Sequence, residues 1–204
     1  MSQKLIAILR GLVPEQAVEI GAALIDAGIT RIEVPLNSPT PLESIRLLVD
    51  RFAESAEIGA GTVLNVQDVK AVADTGAGLI VSPNCDAAVI NETKKLGLTS
   101  LPGVMTPSEC FAALSAGADG LKLFPASLLG PDGLKAIRAV LPPEVEVFPV
   151  GGVAEADMAA WVKAGANGFG IGSSLFRPGD DAEKVSLAAK RHVQSYDKAR
   201  AHVG

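Results

Sequence analysis

Residues 5–14 read LIAILRGLVP and distinguish between two α/β folds. The first five, all apolar, predict a strand buried on both faces, because a half-exposed strand would alternate apolar and polar residues. In an open doubly wound sheet, the first strand is followed by a glycine-rich turn that binds phosphate. The residues RGLVP at positions 10–14 are not such a turn. The open sheet is therefore the second alternative, and a closed barrel is favoured.

Apolar runs recur along the chain, and each is followed by a stretch with helical periodicity. Strict alternation of strand and helix predicts a parallel sheet covered by helices. Eight such units in 204 residues fit a compact (β/α)8 (TIM) barrel, with residues 1–204 forming a single α/β domain. The predicted strands are residues 5–9, 31–36, 57–60, 79–82, 99–102, 120–124, 146–150 and 168–171.

The helices between these strands have recognisable starts and ends. Pro14-Glu15 opens the first helix, and Thr106 with Glu109 forms a capping box around a proline at the first helical position. Glycine follows several helices just before a strand, where a left-handed cap requires it. The glycines in question are Gly28, Gly76, Gly97, Gly117 and Gly165.

Composition limits the classes of partner. Hydrophobic residues make up 48% of the chain and charged residues 20%, which predicts a large core. The net charge is −5 and no basic cluster occurs, so neither nucleic acid nor an anionic membrane is the expected partner. We expect a small-molecule ligand.

The chain shows no features of export. Residues 1–10 lack the layout of a signal peptide, and no apolar run approaches membrane-spanning length. Cys85 and Cys110 are far apart and form no motif, which predicts free thiols in the cytoplasm. The only histidines, His192 and His202, both fall in the last helical segment, so we expect no histidine-based metal site.

Lys122 is the most unusual residue of the chain. It lies in GLKLFP, residues 120–125, where a cationic side chain interrupts an otherwise apolar strand. Lysine is rarely buried without a partner or a function, and burial lowers the pKa of its amine. A neutral amine can attack a carbonyl and form a Schiff base. The alternative is an edge-strand lysine whose charged end reaches water.

Glu33 interrupts the second strand in the same way. Alternation places Ile32 and Val34 on one face and Glu33 on the other. If the two apolar residues face the helices, Glu33 points into the barrel, towards Lys122. A structural ion pair between the two is one interpretation, although such buried pairs rarely stabilise a fold more than apolar residues do. The other is catalytic, since a carboxylate beside an amine nucleophile can move protons.

Candidate substrate-binding residues lie where the predicted strands end, because barrels of this kind place their active sites there. Glycines after the last two strands, in VGGV (150–153) and GIGSS (170–174), expose backbone N–H groups that suit a phosphate, although glycines also serve tight turns. Arg10 suits a carboxylate or a salt bridge at the rim, and Thr62 suits a hydrogen bond to substrate. The same strand ends carry Asn37 and Pro83.

Five segments together resemble one enzyme family: LIAILRG (5–11), IEVPLNS (32–38), IGAGTVL (58–64), LKLFP (121–125) and VGGV (150–153). The chain is similar to the 2-keto-3-deoxy-6-phosphogluconate and -galactonate aldolases over nearly its whole length. These are class I pyruvate aldolases on a (β/α)8 barrel, and members usually form trimers. The resemblance therefore implies a lyase of carbohydrate metabolism, without a metal or other cofactor, and a homotrimer.

The resemblance also implies roles for residues. Lys122 would form the imine with the substrate ketone, and Glu33 would move protons. Arg10 and Thr62 would hold the carboxylate end. Gly152 and Ser173, with the adjacent Gly151 and Gly172, would belong to the phosphate site.

At two positions the chain departs from the sequence pattern of the gluconate-type enzymes, and both positions bear on the choice of substrate. Gluconate-type members usually carry arginine four residues after the catalytic glutamate and threonine before the paired glycines. This chain has Asn37 and Val150, which resemble the galactonate type. The implied reaction is cleavage of 2-dehydro-3-deoxy-6-phosphogalactonate into pyruvate and glyceraldehyde 3-phosphate.

Other functions stay open at this point. The gluconate epimer is an alternative substrate, and a metal-dependent aldolase or a sugar-phosphate epimerase could use the same fold. A barrel that binds a phosphosugar without catalysis is a further alternative, since a fold alone does not imply activity.

Overall fold

Strands and helices alternate along the chain, as the pattern predicts. The computed structural model describes residues 4–201. Its strands are β1 (Leu5–Ile8), β2 (Arg31–Pro35), β3 (Glu57–Gly61), β4 (Leu79–Val81), β5 (Thr99–Leu101), β6 (Gly103–Val104), β7 (Leu121–Leu123), β8 (Val147–Pro149) and β9 (Phe169–Ile171). Its helices are α1 (Pro14–Asp26), α2 (Pro41–Phe52), α3 (Val66–Ala73), α4 (Ala87–Lys95), α5 (Pro107–Ser115), α6 (Ala126–Arg138), α7 (Met158–Lys163) and α8 (Ala182–Ala201), with a 3-10 turn at Glu155–Asp157.

Each of the eight predicted strands corresponds to an observed one, with ends that agree to within one residue, and one of them is followed at once by a further strand. The predicted strand at residues 99–102 ends at Leu101, and a further short strand, β6, begins at Gly103. Pro102 stands between them, and it has no N–H to donate to a neighbouring strand. The chain changes partner at this residue, because β5 pairs with β4 whereas β6 pairs with β7.

The strands form two parallel sheets. Six of them pair in the order β5-β4-β3-β2-β1-β9, a parallel half-barrel, and three pair in the order β6-β7-β8. Backbone contacts connect the two sheets at two places. At one, the N–H of Asp119, two residues before β7, donates a hydrogen bond of 3.1 Å to the carbonyl of Ser100 on β5. At the other, Val150 forms an isolated bridge with Gly170 of β9.

Two groups of buried apolar residues cover the two faces of the strands. The larger group combines strand residues such as Ile32 and Val34 with helical residues such as Leu24 and Leu48, and it packs the helices against the sheets. The smaller group lies on the opposite, enclosed side of the strands. It consists of Ile6, Leu79, Val81, Leu101 and Phe148.

The predicted helix ends are confirmed. Pro14 is the first residue of α1, and the capping box of Thr106 and Glu109 is present at the start of α5. The five glycines predicted to cap helices all have positive φ. Within residues 4–201, no helix has the length and apolar character needed to cross a membrane.

Gly59 marks the closest approach between neighbouring strands β3 and β4. A Cβ atom at this position would lie 2.0 Å from the carbonyl oxygen of Leu79, so the backbone would have to shift. We expect Gly59→Ala to lower the free energy of unfolding by about 3 kcal/mol, as overpacking of a tight core does. Urea unfolding of the variant measures this loss.

The matched control is Gly78→Ala, because a Cβ there meets nothing within 4 Å. It should change the free energy of unfolding by less than about 1 kcal/mol. Equal losses in the two variants would contradict the tight contact between β3 and β4.

Candidate active site

Lys122 lies in the middle of β7, on the enclosed side of the sheet. Leu121 and Leu123 belong to the helix-facing core, so Lys122 points the other way, and its register partners are Gly103 and Phe148. Because β7 pairs on both sides and Lys122 is only 7% exposed, the edge-strand alternative is wrong. Burial lowers the pKa of the Lys122 amine, an effect that Glu33 opposes and Arg10 reinforces.

Glu33 lies on β2 and is 1% exposed. Its neighbours Ile32 and Val34 face the helices, so its side chain points to the enclosed side, as the alternation predicts. The missing side chain of Gly61 makes room for it, since a Cβ there would lie 1.9 Å from Oε2 of Glu33. Among residues 4–201 that oxygen has no hydrogen-bond partner, which leaves it available to a substrate.

Burial also decides the ionisation of Glu33. It raises the pKa of the carboxyl from 4.5 to about 7, although the charges of Lys122 and Arg10 act in the opposite direction. A carboxyl with such a pKa can both take up and release a proton near neutral pH. Lys122 and Glu33 therefore interact electrostatically, and both lie where burial favours their neutral forms.

Arg10 follows β1 at the exposed rim and contacts the loop after β2. Its Nη1 donates a hydrogen bond of 2.5 Å to Oδ1 of Asn37. The next residue, Gly11, donates its N–H to Oγ of the buried Ser38 at 2.9 Å. The amide of Asn37, and not a carboxylate, is thus the side-chain partner of Arg10. Sequence analysis missed Ser38, whose only signal was its place beside Asn37.

A cavity of about 390 Å³ lies beyond the carboxyl ends of β1, β8 and β9. It brings together six of the residues predicted to bind substrate, from three separate parts of the chain. These are Arg10, Val150, Gly151, Gly152, Gly172 and Ser173. The remaining lining comes mainly from apolar and glycine residues, with Ser174 as a further hydroxyl.

Thr62 and Pro83 lie outside the lining of this cavity, near the ends of β3 and β4. Thr62 follows Gly61 and has a φ of 57°, a left-handed conformation that a threonine adopts only under constraint. Pro83 packs against β6, because a Cβ on Gly103 would lie 2.2 Å from its carbonyl oxygen. Gly103 is the register partner of Lys122, so Pro83 lies beside the strand that carries the lysine.

One residue near the site, Phe124, was not among those predicted to act there. Nζ of Lys122 lies over the ring of Phe124, 5.0 Å from its centroid. The spacing of two residues along one strand was the available signal, since such residues share a face. Ser127, a polar residue shortly after the predicted sixth strand and a candidate from the sequence, approaches Gly152, where a Cβ would lie 2.6 Å from the Cβ of Ser127.

The arrangement offers covalent chemistry and proton transfer. It combines a buried amine, a carboxyl that changes protonation near neutral pH, and a cavity lined by Arg10, two serines, glycines and apolar residues. In the part of the chain that the structure describes, no three His, Cys, Asp or Glu side chains are grouped so that they could hold a metal ion.

Comparison with known proteins identifies the family. The family model described as KDPG and KHG aldolase matches residues 1–189. The chain belongs to this family. The resemblance carried by the five sequence segments is thereby confirmed, and the family supports a lyase.

Within the KDPG and KHG aldolase family, the galactonate-type relatives are more similar than a gluconate-type one. The chain is 46% identical to the 2-dehydro-3-deoxy-6-phosphogalactonate aldolase of Escherichia coli (strain K12), covering 96% of this chain and 95% of that protein. A solved structure described as native KDPGal has 45% identity and a TM-score of 0.97, covering 98% of both chains.

The solved structure of a gluconate-type relative contains covalently bound pyruvate. A KDPG aldolase from Legionella pneumophila was solved with pyruvate captured as a covalent carbinolamine intermediate. It is 26% identical to this chain, with a TM-score of 0.80, and the match covers 96% of this chain and 94% of that one.

The raised pKa of Glu33 predicts a pH dependence of stability. Between pH 4.5 and about 7 the unfolded chain has lost this proton while the folded protein retains it. The stabilisation is complete below that window and is lost as the pH rises through it. Relative to wild type, Glu33→Gln should therefore gain up to about 3 kcal/mol between about pH 5 and about pH 8, measured by urea unfolding.

Glu19→Gln serves as the control, because Glu19 is exposed on α1. It should keep the pH dependence of the wild type. A constant difference between Glu33→Gln and wild type over this range would contradict the raised pKa.

Proposed function

We propose that this protein is a class I aldolase that cleaves 2-dehydro-3-deoxy-6-phosphogalactonate into pyruvate and D-glyceraldehyde 3-phosphate. The observation that carries the proposal is the buried amine of Lys122 on the enclosed side of the sheet, in the electrostatic field of Glu33. Membership of the KDPG and KHG aldolase family and 46% identity to a galactonate-type enzyme support the substrate class.

Lys122 is the proposed nucleophile. Its neutral amine adds to the C2 carbonyl, whose oxygen takes up a proton, and loss of water then leaves a cationic imine. When the C3–C4 bond breaks, its electron pair moves to C3 and neutralises the imine nitrogen, giving an enamine. Because burial lowers the pKa of Lys122, more of the amine is in its reactive form near neutral pH.

Glu33 is the proposed proton carrier. It removes the proton of the C4 hydroxyl, directly or through a water molecule, while C4 becomes the aldehyde of glyceraldehyde 3-phosphate. A proton then returns to C3 of the enamine, and water hydrolyses the imine to pyruvate and free Lys122. A pKa of about 7 suits both directions of transfer. The imine itself is the electron sink, so the scheme uses neither a metal nor another cofactor.

In this proposal, different groups of residues hold the two ends of the substrate, and Arg10 lies beside both groups. Arg10 and Thr62 hold the carboxylate end, with Pro83 beside the strand of Lys122. The phosphate binds to the backbone N–H groups of Gly151, Gly152 and Gly172 and to the hydroxyl of Ser173, which line the cavity together with Arg10.

Asn37 and Val150 are proposed to favour the galactonate epimer. Asn37 accepts a hydrogen bond from Arg10, so the length of its side chain affects where that guanidinium lies. Val150 lines the cavity and offers no hydroxyl to a substrate. The two sugars differ at one stereocentre, and such a discrimination often requires only a small difference in free energy.

We further propose that the two sheets close into a complete (β/α)8 barrel and that residues 1–204 form one domain. The contacts between Ser100 and Asp119 and between Val150 and Gly170 support closure, and one apolar cluster runs from β1 to α8. A homotrimer and a cytoplasmic location are also proposed. The family resemblance supports the trimer, and the free thiols Cys85 and Cys110 are consistent with a reducing compartment.

The test of the chemistry is Lys122→Ala. It should reduce pyruvate release by at least about a thousandfold, because no other group supplies the imine nitrogen. Borohydride added with pyruvate should attach mass to Lys122 of the wild type, located by peptide mass spectrometry. Lys135→Ala, which removes an exposed lysine on α6, is the control and should retain activity.

The alternatives give other results. Mass on another residue, or turnover by Lys122→Ala, would refute the scheme. Activity lost in EDTA would indicate a metal-dependent aldolase, and turnover insensitive to borohydride would indicate an epimerase. Thermal stabilisation by a phosphosugar without turnover would indicate a non-catalytic binding protein.

The substrate preference is tested by coupled assays of pyruvate release with the two phosphorylated epimers side by side. We expect kcat/KM for the galactonate epimer to exceed that for the gluconate epimer by at least about tenfold. Val150→Thr should narrow this ratio, because threonine adds a hydroxyl at nearly the same volume. A higher kcat/KM for the gluconate epimer in the wild type would assign the protein to the gluconate reaction.

A further inference from the structure

The ring of Phe124 lies against the amine of Lys122. Nζ of the lysine is over the ring, 5.0 Å from its centroid, which is within the range of a cation–π interaction. Phe124 directly follows β7 and lies two residues beyond Lys122, so the two side chains leave the same face of the chain.

The same ring packs against the first of the paired glycines. A Cβ on Gly151 would lie 3.4 Å and 3.5 Å from two carbon atoms of the Phe124 ring. Gly151 also has a φ of 89°, a conformation that disfavours other residues. A Cβ on Gly151 would therefore be at van der Waals distance from the ring, so the segment after β8 packs beside Phe124.

The charges that act on Lys122 come from two other strands. Glu33 on β2 favours the ammonium form, and Arg10 after β1 disfavours it together with burial. An aromatic face carries negative electrostatic potential and attracts a cation, more strongly where water is excluded. Phe124 thus supplies an apolar group that favours positive charge on Nζ without competing for the proton.

We propose that Phe124 is a positioning residue that holds Nζ of Lys122 over its ring and stabilises the cationic imine formed on that nitrogen. The inference rests on the proposed function, because the imine belongs to that mechanism. The ring acts on both cationic states of the nitrogen: the ammonium before reaction and the imine after loss of water. Removing it makes the amine easier to deprotonate and the imine harder to form.

Two variants separate this effect from packing. Phe124→Leu removes the ring, and replacement of Phe124 by 3,4,5-trifluorophenylalanine keeps its shape while weakening the negative potential of its face. Phe111→Leu removes a half-exposed phenylalanine on α5 and is the control. Thermal unfolding checks that each variant is folded.

The decisive readout is the pH dependence of imine trapping by pyruvate and borohydride. It is measured in chains that also carry Glu33→Gln, so that residue 33 does not titrate and the profile reports Lys122. We expect both Phe124 variants to shift the acid limb of this trapping profile to lower pH by about half to one pH unit. Phe111→Leu should leave the limb in place. With Glu33 present, kcat of both Phe124 variants should fall by about threefold to tenfold.

If the role of Phe124 were merely structural, the acid limb would shift in the opposite direction. If Phe124 only excluded water, its loss would hydrate Lys122, raise the pKa of the amine and move the limb to higher pH. A limb that moves up or stays in place in the trifluorophenylalanine variant overturns the proposal. If borohydride labels wild-type Lys122, that result leaves the proposed function intact. Wild-type label elsewhere overturns the proposed function and, with it, the role of Phe124.

Discussion

The burial of one amine is the constraint on which the rest of this structure depends. Lys122 can be buried because β7 pairs on both sides, which satisfies its backbone, and because Glu33 on β2 provides an opposing charge. Neither group would be stable as an isolated ion in such surroundings. Each lowers the cost of burying the other, while burial raises the pKa of Glu33 to about 7 and lowers the pKa of Lys122.

Glycine provides the space that this arrangement requires. Gly61 accommodates the carboxyl of Glu33, and Gly151 lies beside the ring that is next to Lys122. At Gly61 a single Cβ atom would occupy the space of the Glu33 carboxyl. Close packing of strands therefore serves the chemistry directly, because it brings groups from separate strands together without large loops.

The parallel sheet places the candidate reactive groups and the candidate binding cavity in different regions. Lys122 and Glu33 lie within the strands on the enclosed side, whereas the cavity of about 390 Å³ lies beyond the strand ends. Arg10 joins the two regions, since it acts on the pKa values of Lys122 and Glu33 and also lines the cavity. Its hydrogen bond to Asn37 links the candidate specificity residue to the same charge.

The sequence by itself determined the alternation of strands and helices, the helix caps and the anomalous positions of Lys122 and Glu33. These features are local, because they follow from periodicity and from single residues of unusual polarity. Only the tertiary structure decided that Pro102 divides a strand, that Arg10 contacts Asn37, and that the ring of Phe124 meets both Lys122 and Gly151. Those contacts depend on strand register and side-chain packing between distant segments, which no local pattern encodes.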